Sequence, residues 1–138
     1  MDKKYEKYIN YIVDEIEPPY FKNMVDMYGL SPDEYELILF KVYNQPVTIK
    51  NYRVYDSMGN QIYIENSYGN WTKREFDSMG NLIYYENSNG YWAKYEYNDQ
   101  GDEIYYEDSN GYWVKREYDE QGNIIYYENS SGILNDNR

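Results

Sequence analysis

The sequence predicts an α+β protein: an N-terminal three-helix cap followed by an antiparallel β-hairpin repeat meander that forms a single twisted sheet. Three observations predict it. Gly59, Gly80, Gly101 and Gly122 recur every 21 residues, and so do Gly69, Gly90, Gly111 and Gly132, so two turns occur per repeat. Each of these glycines closes an Asx-x-x-Gly quartet, as in Asp56-Ser57-Met58-Gly59 and Asp108-Ser109-Asn110-Gly111. The Asx side chain bonds its own backbone and the glycine accepts positive φ, which is the chemistry of a type I turn closing a hairpin. Residues 1–45 follow a different pattern, with apolar residues at helical steps of three and four.

The helices come first. Tyr5, Tyr8, Ile9, Ile12 and Ile16 make one apolar stripe, and Pro18-Pro19 end that helix. Tyr20, Met24, Met27 and Tyr28 carry a second helix up to Gly29, a C′ residue. Ser31-Pro32-Asp33-Glu34 opens a third with a capping box and proline at its first position. Its apolar residues Tyr35, Ile38, Leu39, Val42 and Tyr43 need a surface to cover, so the cap is expected to pack on the first strands and shield a sheet edge. The domain division is residues 1–46 for the cap, 47–134 for the repeats and 135–138 for a disordered tail.

Between the turns lie runs rich in Tyr, Ile, Trp and Val, and no proline follows Pro46, which suits about eight uninterrupted strands. The odd period constrains their register. Side chains alternate with period 2, so equivalent residues stay on one face only if the two loops differ in parity or a bulge absorbs one residue. Both faces carry aromatic residues and neither is uniformly apolar, which describes a thin, Tyr-paved sheet. Its last repeat strand, near Ile125 and Tyr127, has no cap, so a homodimer or higher oligomer is expected.

Composition removes many chemistries. The chain has no Cys and no His, which excludes disulfides and thiolate sites and takes away the usual general base and zinc ligand. No stretch approaches the roughly 20 apolar residues of a membrane span, and charges interrupt the N-terminus throughout, so a cytoplasmic protein without a membrane partner is expected. Net charge is −12. Residues 1–50 hold −3 of it and residues 51–138 hold −9, which disfavours direct nucleic-acid binding by the array.

One Glu recurs on each strand, at Glu65, Glu75, Glu86, Glu96, Glu107, Glu117 and Glu128. A catalytic pair of carboxylates needs two different environments, whereas these acids repeat identically. They are read as cross-strand partners of Lys73, Arg74, Lys94, Lys115 and Arg116. The Asx-rich turns lack the spacing that gathers oxygens on calcium, so no metal and no cofactor is expected. Trp71, Trp92 and Trp113 form a row that can pack the sheet or offer a contact surface. The predicted binding surface is the central stripe of Tyr84, Tyr85, Glu86, Trp92, Tyr95, Glu96, Tyr105, Tyr106, Glu107 and Trp113, with no catalytic residue among them.

Two units, Phe76-Asp77 to Tyr85 and Tyr118-Asp119 to Tyr127, read Tyr/Phe-Asp-x-x-Gly-Asn-x-Ile-Tyr-Tyr. This resembles the Tyr-Asp repeat of Rhs-type and Tc-toxin shells, whose period is also about 21 residues and whose strands form long coiled sheets. The resemblance covers residues 47–134, but fewer than four complete repeats cannot close a cavity around a cargo. The stretch Tyr-Tyr-Glu-Asn-Ser-Asn-Gly-Tyr-Trp, Tyr84–Trp92, is similar to the aromatic hairpins of choline- and glucan-binding modules, which belong to secreted proteins. A Lys-, Asn-, Ile- and Tyr-rich composition resembles that of small phage and mobile-element accessory proteins. Together these readings imply a non-enzymatic protein-binding module in a bacterial host cytoplasm. It would be an inhibitor or adaptor of a basic, nucleic-acid-handling host protein, of the anti-defence type. The alternative is a glycan- or cell-wall-binding aromatic module.

Overall fold

The structure is a computed structural model and describes residues 3–138. Met1 and Asp2, the first residues of the predicted cap, lie outside the described residues. Three helices are followed by ten antiparallel strands in one open sheet, ordered along the chain from the first strand to the tenth. The chain divides into two compact units, Met1–Thr72 and Lys73–Arg138.

In the first unit, α1 (Lys3–Glu15) buries Ile9 and Ile12. Tyr5 and Tyr8, predicted on the same stripe, stay exposed. Pro19 is the N-cap of α2 (Tyr20–Asp26), which buries Tyr20, Phe21 and Met24. Gly29 ends this helical stretch as expected, at φ +61°, and its N–H donates to the Val25 carbonyl at 3.0 Å. The third helix, α3 (Pro32–Tyr43), starts at the predicted capping box. The Glu34 carboxylate accepts from the Ser31 N–H at 3.1 Å and from the Ser31 hydroxyl at 3.0 Å. Asn44, in the left-handed region, closes it.

The strands of this unit are β1 (Thr48–Lys50), β2 (Arg53–Tyr55), β3 (Gln61–Glu65) and the start of β4 (Trp71–Phe76). The helices pack on the first strands, and what they cover is a sheet face: Val54 and Tyr63 are fully buried beneath them, whereas Thr48 and Lys50 of β1 remain exposed. Ring contacts carry the packing, with Tyr20 4.8 Å from Tyr63 and Phe21 5.2 Å from Tyr52.

The second unit holds the rest of β4 and then β5 (Leu82–Asn87), β6 (Trp92–Tyr97), β7 (Glu103–Asp108), β8 (Trp113–Tyr118), β9 (Ile124–Asn129) and β10 (Leu134–Asp136). Ten strands replace the predicted eight for two reasons. Residues 48–55 fold into a hairpin whose two-residue turn, Asn51-Tyr52, has both φ positive, a turn no glycine marks. At the other end β10 pairs with β9, where a disordered tail was expected. Asn135 lies opposite Tyr127, and the Asn137 N–H donates to the Ile125 carbonyl at 2.7 Å.

Candidate functional site

Each Asx-x-x-Gly turn is built alike. At the turn that follows β6, the Asn98 N–H donates to the Asp102 carbonyl at 2.9 Å. The Asn98 side chain accepts from the Gln100 and Asp102 N–H groups at 3.1 and 2.9 Å. Gly101 sits at φ +85°, which makes a three-residue loop with glycine in the left-handed position. Both turns of a repeat therefore have odd loops, and a bulge resolves the odd period. Glu96 faces Tyr105 and Tyr97 faces Glu103, which leaves Ile104 as the extra residue. The same shift occurs at Glu117/Tyr118 and at Val54/Tyr55. The other turn of the repeat has none, as between β5 and β6.

The bulge sorts the side chains of the second unit into two faces of different character. One face, the Trp face, carries Tyr84 and Glu86 on β5, Trp92, Lys94 and Glu96 on β6, and Tyr105 and Glu107 on β7. It continues with Trp113, Lys115 and Glu117 on β8 and Tyr126 and Glu128 on β9. The opposite, Tyr face carries Tyr85, Ala93, Tyr95, Tyr106, Asp108, Val114, Arg116 and Tyr127. Seven of the ten predicted site residues thus share the Trp face: Tyr84, Glu86, Trp92, Glu96, Tyr105, Glu107 and Trp113. Tyr85, Tyr95 and Tyr106 lie on the other.

On the Tyr face polar groups are used internally. The Tyr91 and Tyr106 hydroxyls lie 2.9 Å apart, and Tyr106 donates to Asp108 at 3.0 Å. Tyr95 packs 5.2 Å from Tyr106, nearly edge-on, and Tyr85 6.0 Å from Tyr91. Burial, then these hydrogen bonds, pushes the Tyr106 hydroxyl well above the ordinary tyrosine range. Arg116 pairs with Glu103 at 2.6 Å, and its guanidinium lies 5.4 Å from the Tyr127 ring. The Tyr118 hydroxyl donates to the Glu103 carbonyl at 2.9 Å, and Tyr97 does the same to Leu82 at 2.7 Å. These groups tie neighbouring strands of a thin sheet to one another.

The Trp face has a different economy. Lys94 and Lys115 stand directly across from Glu107 and Glu128, as a cross-strand pairing predicts. Yet their ammonium groups lie over Trp92 and Trp113, 5.0 and 5.1 Å from the ring centres. The lysines lean along their own strands and leave the carboxylates less neutralised than the pairing suggests. The Glu96 side chain is exposed, while Glu86 and Glu107 are half-buried. Around Arg138 the face is filled. Its guanidinium lies 4.1 Å from the Tyr126 ring centre and bonds Asp136 through Nε and through an Nη, each at 3.0 Å. The other Nη reaches Glu117 at 3.0 Å. Asp136 is held down to about 2 by Arg138, whose side-chain hydrogen bonds are the largest cause.

Glu65 was read from the sequence as one carboxylate of the row. In the structure it is buried and accepts N–H bonds from Phe21 and Lys22 at 2.9 and 2.8 Å. The Tyr63 hydroxyl donates to it at 2.6 Å and accepts from the Tyr20 N–H at 2.9 Å. The pair ties the start of α2 to β3. Burial first, then Glu65, raises the Tyr63 hydroxyl far above its usual range. The local difference at Glu65 is that Ile64 precedes it where Tyr85, Tyr106 and Tyr127 precede its repeat counterparts, and that change alone does not signal this role. Among the described residues, no group of three or more acidic side chains is placed to hold a metal ion, and no helix is long and apolar enough to cross a membrane.

No protein family matches the chain, and no curated protein matches its sequence. Among solved structures it is similar to a chain of the Photorhabdus luminescens Tc holotoxin pore, at 17% identity and a TM-score of 0.35. The match covers 56% of this chain and 5% of that one. The likeness is distant, and what the structure itself establishes is the β-hairpin meander.

Proposed function

We propose that this chain is a non-enzymatic protein-binding module that acts through the Trp face of its second unit. Its partner is a basic, nucleic-acid-handling host protein of a bacterial cytoplasm, which it serves as inhibitor or adaptor in the manner of phage anti-defence proteins. The observation that carries the reading is the division of labour between the two faces. The Tyr face spends its hydroxyls and charges on one another. The Trp face instead presents the Tyr84 and Tyr105 rings beside carboxylates in a repeating array. Residues 73–138 hold 14 Asp and Glu against six Lys and Arg, a net of −8, so the field favours a cationic surface.

The glycan alternative is disfavoured by the same geometry. A sugar would stack on Trp92 and Trp113, and those rings already carry Lys94 and Lys115. Capture from bacterial lysate tests the proposal. The intact chain retains basic proteins at low salt and releases them at high salt, while a Glu86→Lys, Glu96→Lys, Glu107→Lys variant that melts normally retains far less. Equal retention by the variant would overturn it and direct attention to the helices of the first unit.

A further inference from the structure

One structural element recurs in every repeat and is put to visible use twice. It is a Tyr-x-Glu pair at Tyr63/Glu65, Tyr84/Glu86, Tyr105/Glu107 and Tyr126/Glu128, each 21 residues after the last. At the two outer copies the tyrosine hydroxyl donates to its own glutamate at 2.6 Å. At both, the chain itself supplies a group rich in N–H donors. Tyr63/Glu65 takes three consecutive backbone N–H groups of residues 20–22. At Tyr126/Glu128 the Arg138 guanidinium lies on the ring, bridging Glu117 and Asp136 on the strands to either side. Under the helix the oxygens of the element accept the N–H groups themselves, and in the open array its ring carries a guanidinium whose N–H groups go to the carboxylates of the flanking strands.

The two middle copies have the same parts. Tyr105 lies directly across from Glu96, as Tyr126 does from Glu117, and Glu107 follows two residues on along the same face. Burial first, then the charges of Glu86 and Glu75, raises the Tyr84 hydroxyl above the ordinary tyrosine range. A groove of about 420 Å³ runs between the Tyr105 and Tyr126 copies, and in its lining Glu96, Glu117 and Glu128 meet Lys115, Arg116 and Arg138. The counterpart of Asp136 differs. Lys94 stands across from Tyr84 and Lys115 across from Tyr105, each with its ammonium drawn aside over a tryptophan. Each middle copy thus offers a ring and flanking carboxylates.

We propose that Tyr105 with Glu96 and Glu107, and Tyr84 with Glu86, each receive an arginine side chain of the partner protein, stacked on the ring and hydrogen-bonded to the carboxylates. The inference rests on the protein-binding reading above and specifies the chemistry that reading leaves open. Arginine suits the geometry because its planar guanidinium stacks and donates along two edges at once, whereas a lysine ammonium is a point charge. Equivalent rings lie two strands apart with a two-residue offset, a separation of about 12 Å from strand spacing and rise. Arginines three residues apart on an extended peptide, about 10 Å, reach both copies through their flexible stems.

The test uses the full chain and a labelled peptide, Gly-Arg-Ser-Ser-Arg-Gly, titrated at low salt by fluorescence anisotropy beside its lysine counterpart. The arginine peptide is expected to bind about tenfold more tightly than the lysine peptide. Glu96→Gln with Glu107→Gln should remove most of that preference, and so should Tyr105→Leu, while Tyr105→Phe retains the stacking part. Arg138→Ala, which empties the Tyr126 copy, should add arginine binding. Thermal melts confirm that each variant is folded. If both peptides bind alike and both are lost in the Glu86→Lys, Glu96→Lys, Glu107→Lys variant, the arginine receptors are overturned and the acidic-face reading stands. If neither peptide binds up to millimolar concentration, both readings fall.

Discussion

In the first unit a sheet face is roofed. Phe21, Met24, Ile38, Leu39, Val54 and Tyr63 are at most 1% exposed, and rings from α2 lie against β3 and the turn between β1 and β2. In the second unit the buried apolar side chains are Ala93 and Val114, and the sheet stands on ring contacts, hydrogen-bonded hydroxyls and its turns. The same 21-residue grammar serves both. What differs is whether a second layer supplies apolar contact, and therefore whether energy is concentrated in a few residues or spread over many. The Tyr-x-Glu element shows the functional side of that contrast. Under a helix it is an internal fastening, and in the open array it is an available surface.

Substitutions should separate the two regimes. The largest expected effect is Phe21→Ala, a cavity under the roof, at about 4 kcal/mol in chemical denaturation; a loss under about 1 kcal/mol would show that the helices are not seated as described. Next is Glu65→Gln, which weakens the charge-assisted bonds to α2 and should cost about 2 kcal/mol. By contrast Tyr106→Phe, which deletes two hydroxyl contacts of the Tyr face, should cost about 1 kcal/mol, because the load there is shared. Should it match Glu65→Gln, the second unit has a focal point after all. Gly101→Ala forces a side chain into φ +85° and should also cost about 1 kcal/mol, measured as a fall in thermal midpoint.

The smallest effect is one of pH. The Asp77 and Asp119 carboxyls are held below the ordinary aspartate range, first by the backbone N–H of Asn81 and of Asn123, respectively. Their folded pKa is depressed, so their contribution is present above about pH 4 and is lost as pH falls through the folded value. Asn66 and Asn98 already hold equivalent turns with a neutral amide. Asp77→Asn with Asp119→Asn removes that charge-linked contribution while keeping the turn geometry, so it should lower stability slightly at pH 7, leave it nearly unchanged at pH 3 and thereby flatten the profile. A loss at pH 7 equal to that at pH 3 would mean that geometry, not charge, was at stake.

Much of this fold was legible because its signals are local. The 21-residue glycine spacing, the Asx quartets, the Ser31/Glu34 box and Gly29 all act within a few residues of themselves. Asn51-Tyr52 escaped because a tyrosine with positive φ carries no turn signature, and is held instead by packing of its ring on Phe21. The strand β10 escaped because pairing to β9 and the Arg138 contacts order a stretch whose composition reads as a tail. The candidate surface was half legible. The sequence shows which aromatic and acidic residues each strand carries, but a single extra residue such as Ile104 resets which side chains share a face, and nothing in the sequence fixes its position. Hence Tyr85, Tyr95 and Tyr106 were grouped with residues on the opposite side of the sheet.

The most direct test of the working-face account compares two triple variants that change net charge equally. One reverses Glu86, Glu96 and Glu107 to Lys on the Trp face, and the other reverses Asp99, Asp102 and Glu120 to Lys at the turns. Retention of basic proteins from bacterial lysate, measured across a salt series on folded protein, should collapse in the first and largely persist in the second. Equal loss in both would show that net charge alone is at work and would contradict a dedicated face.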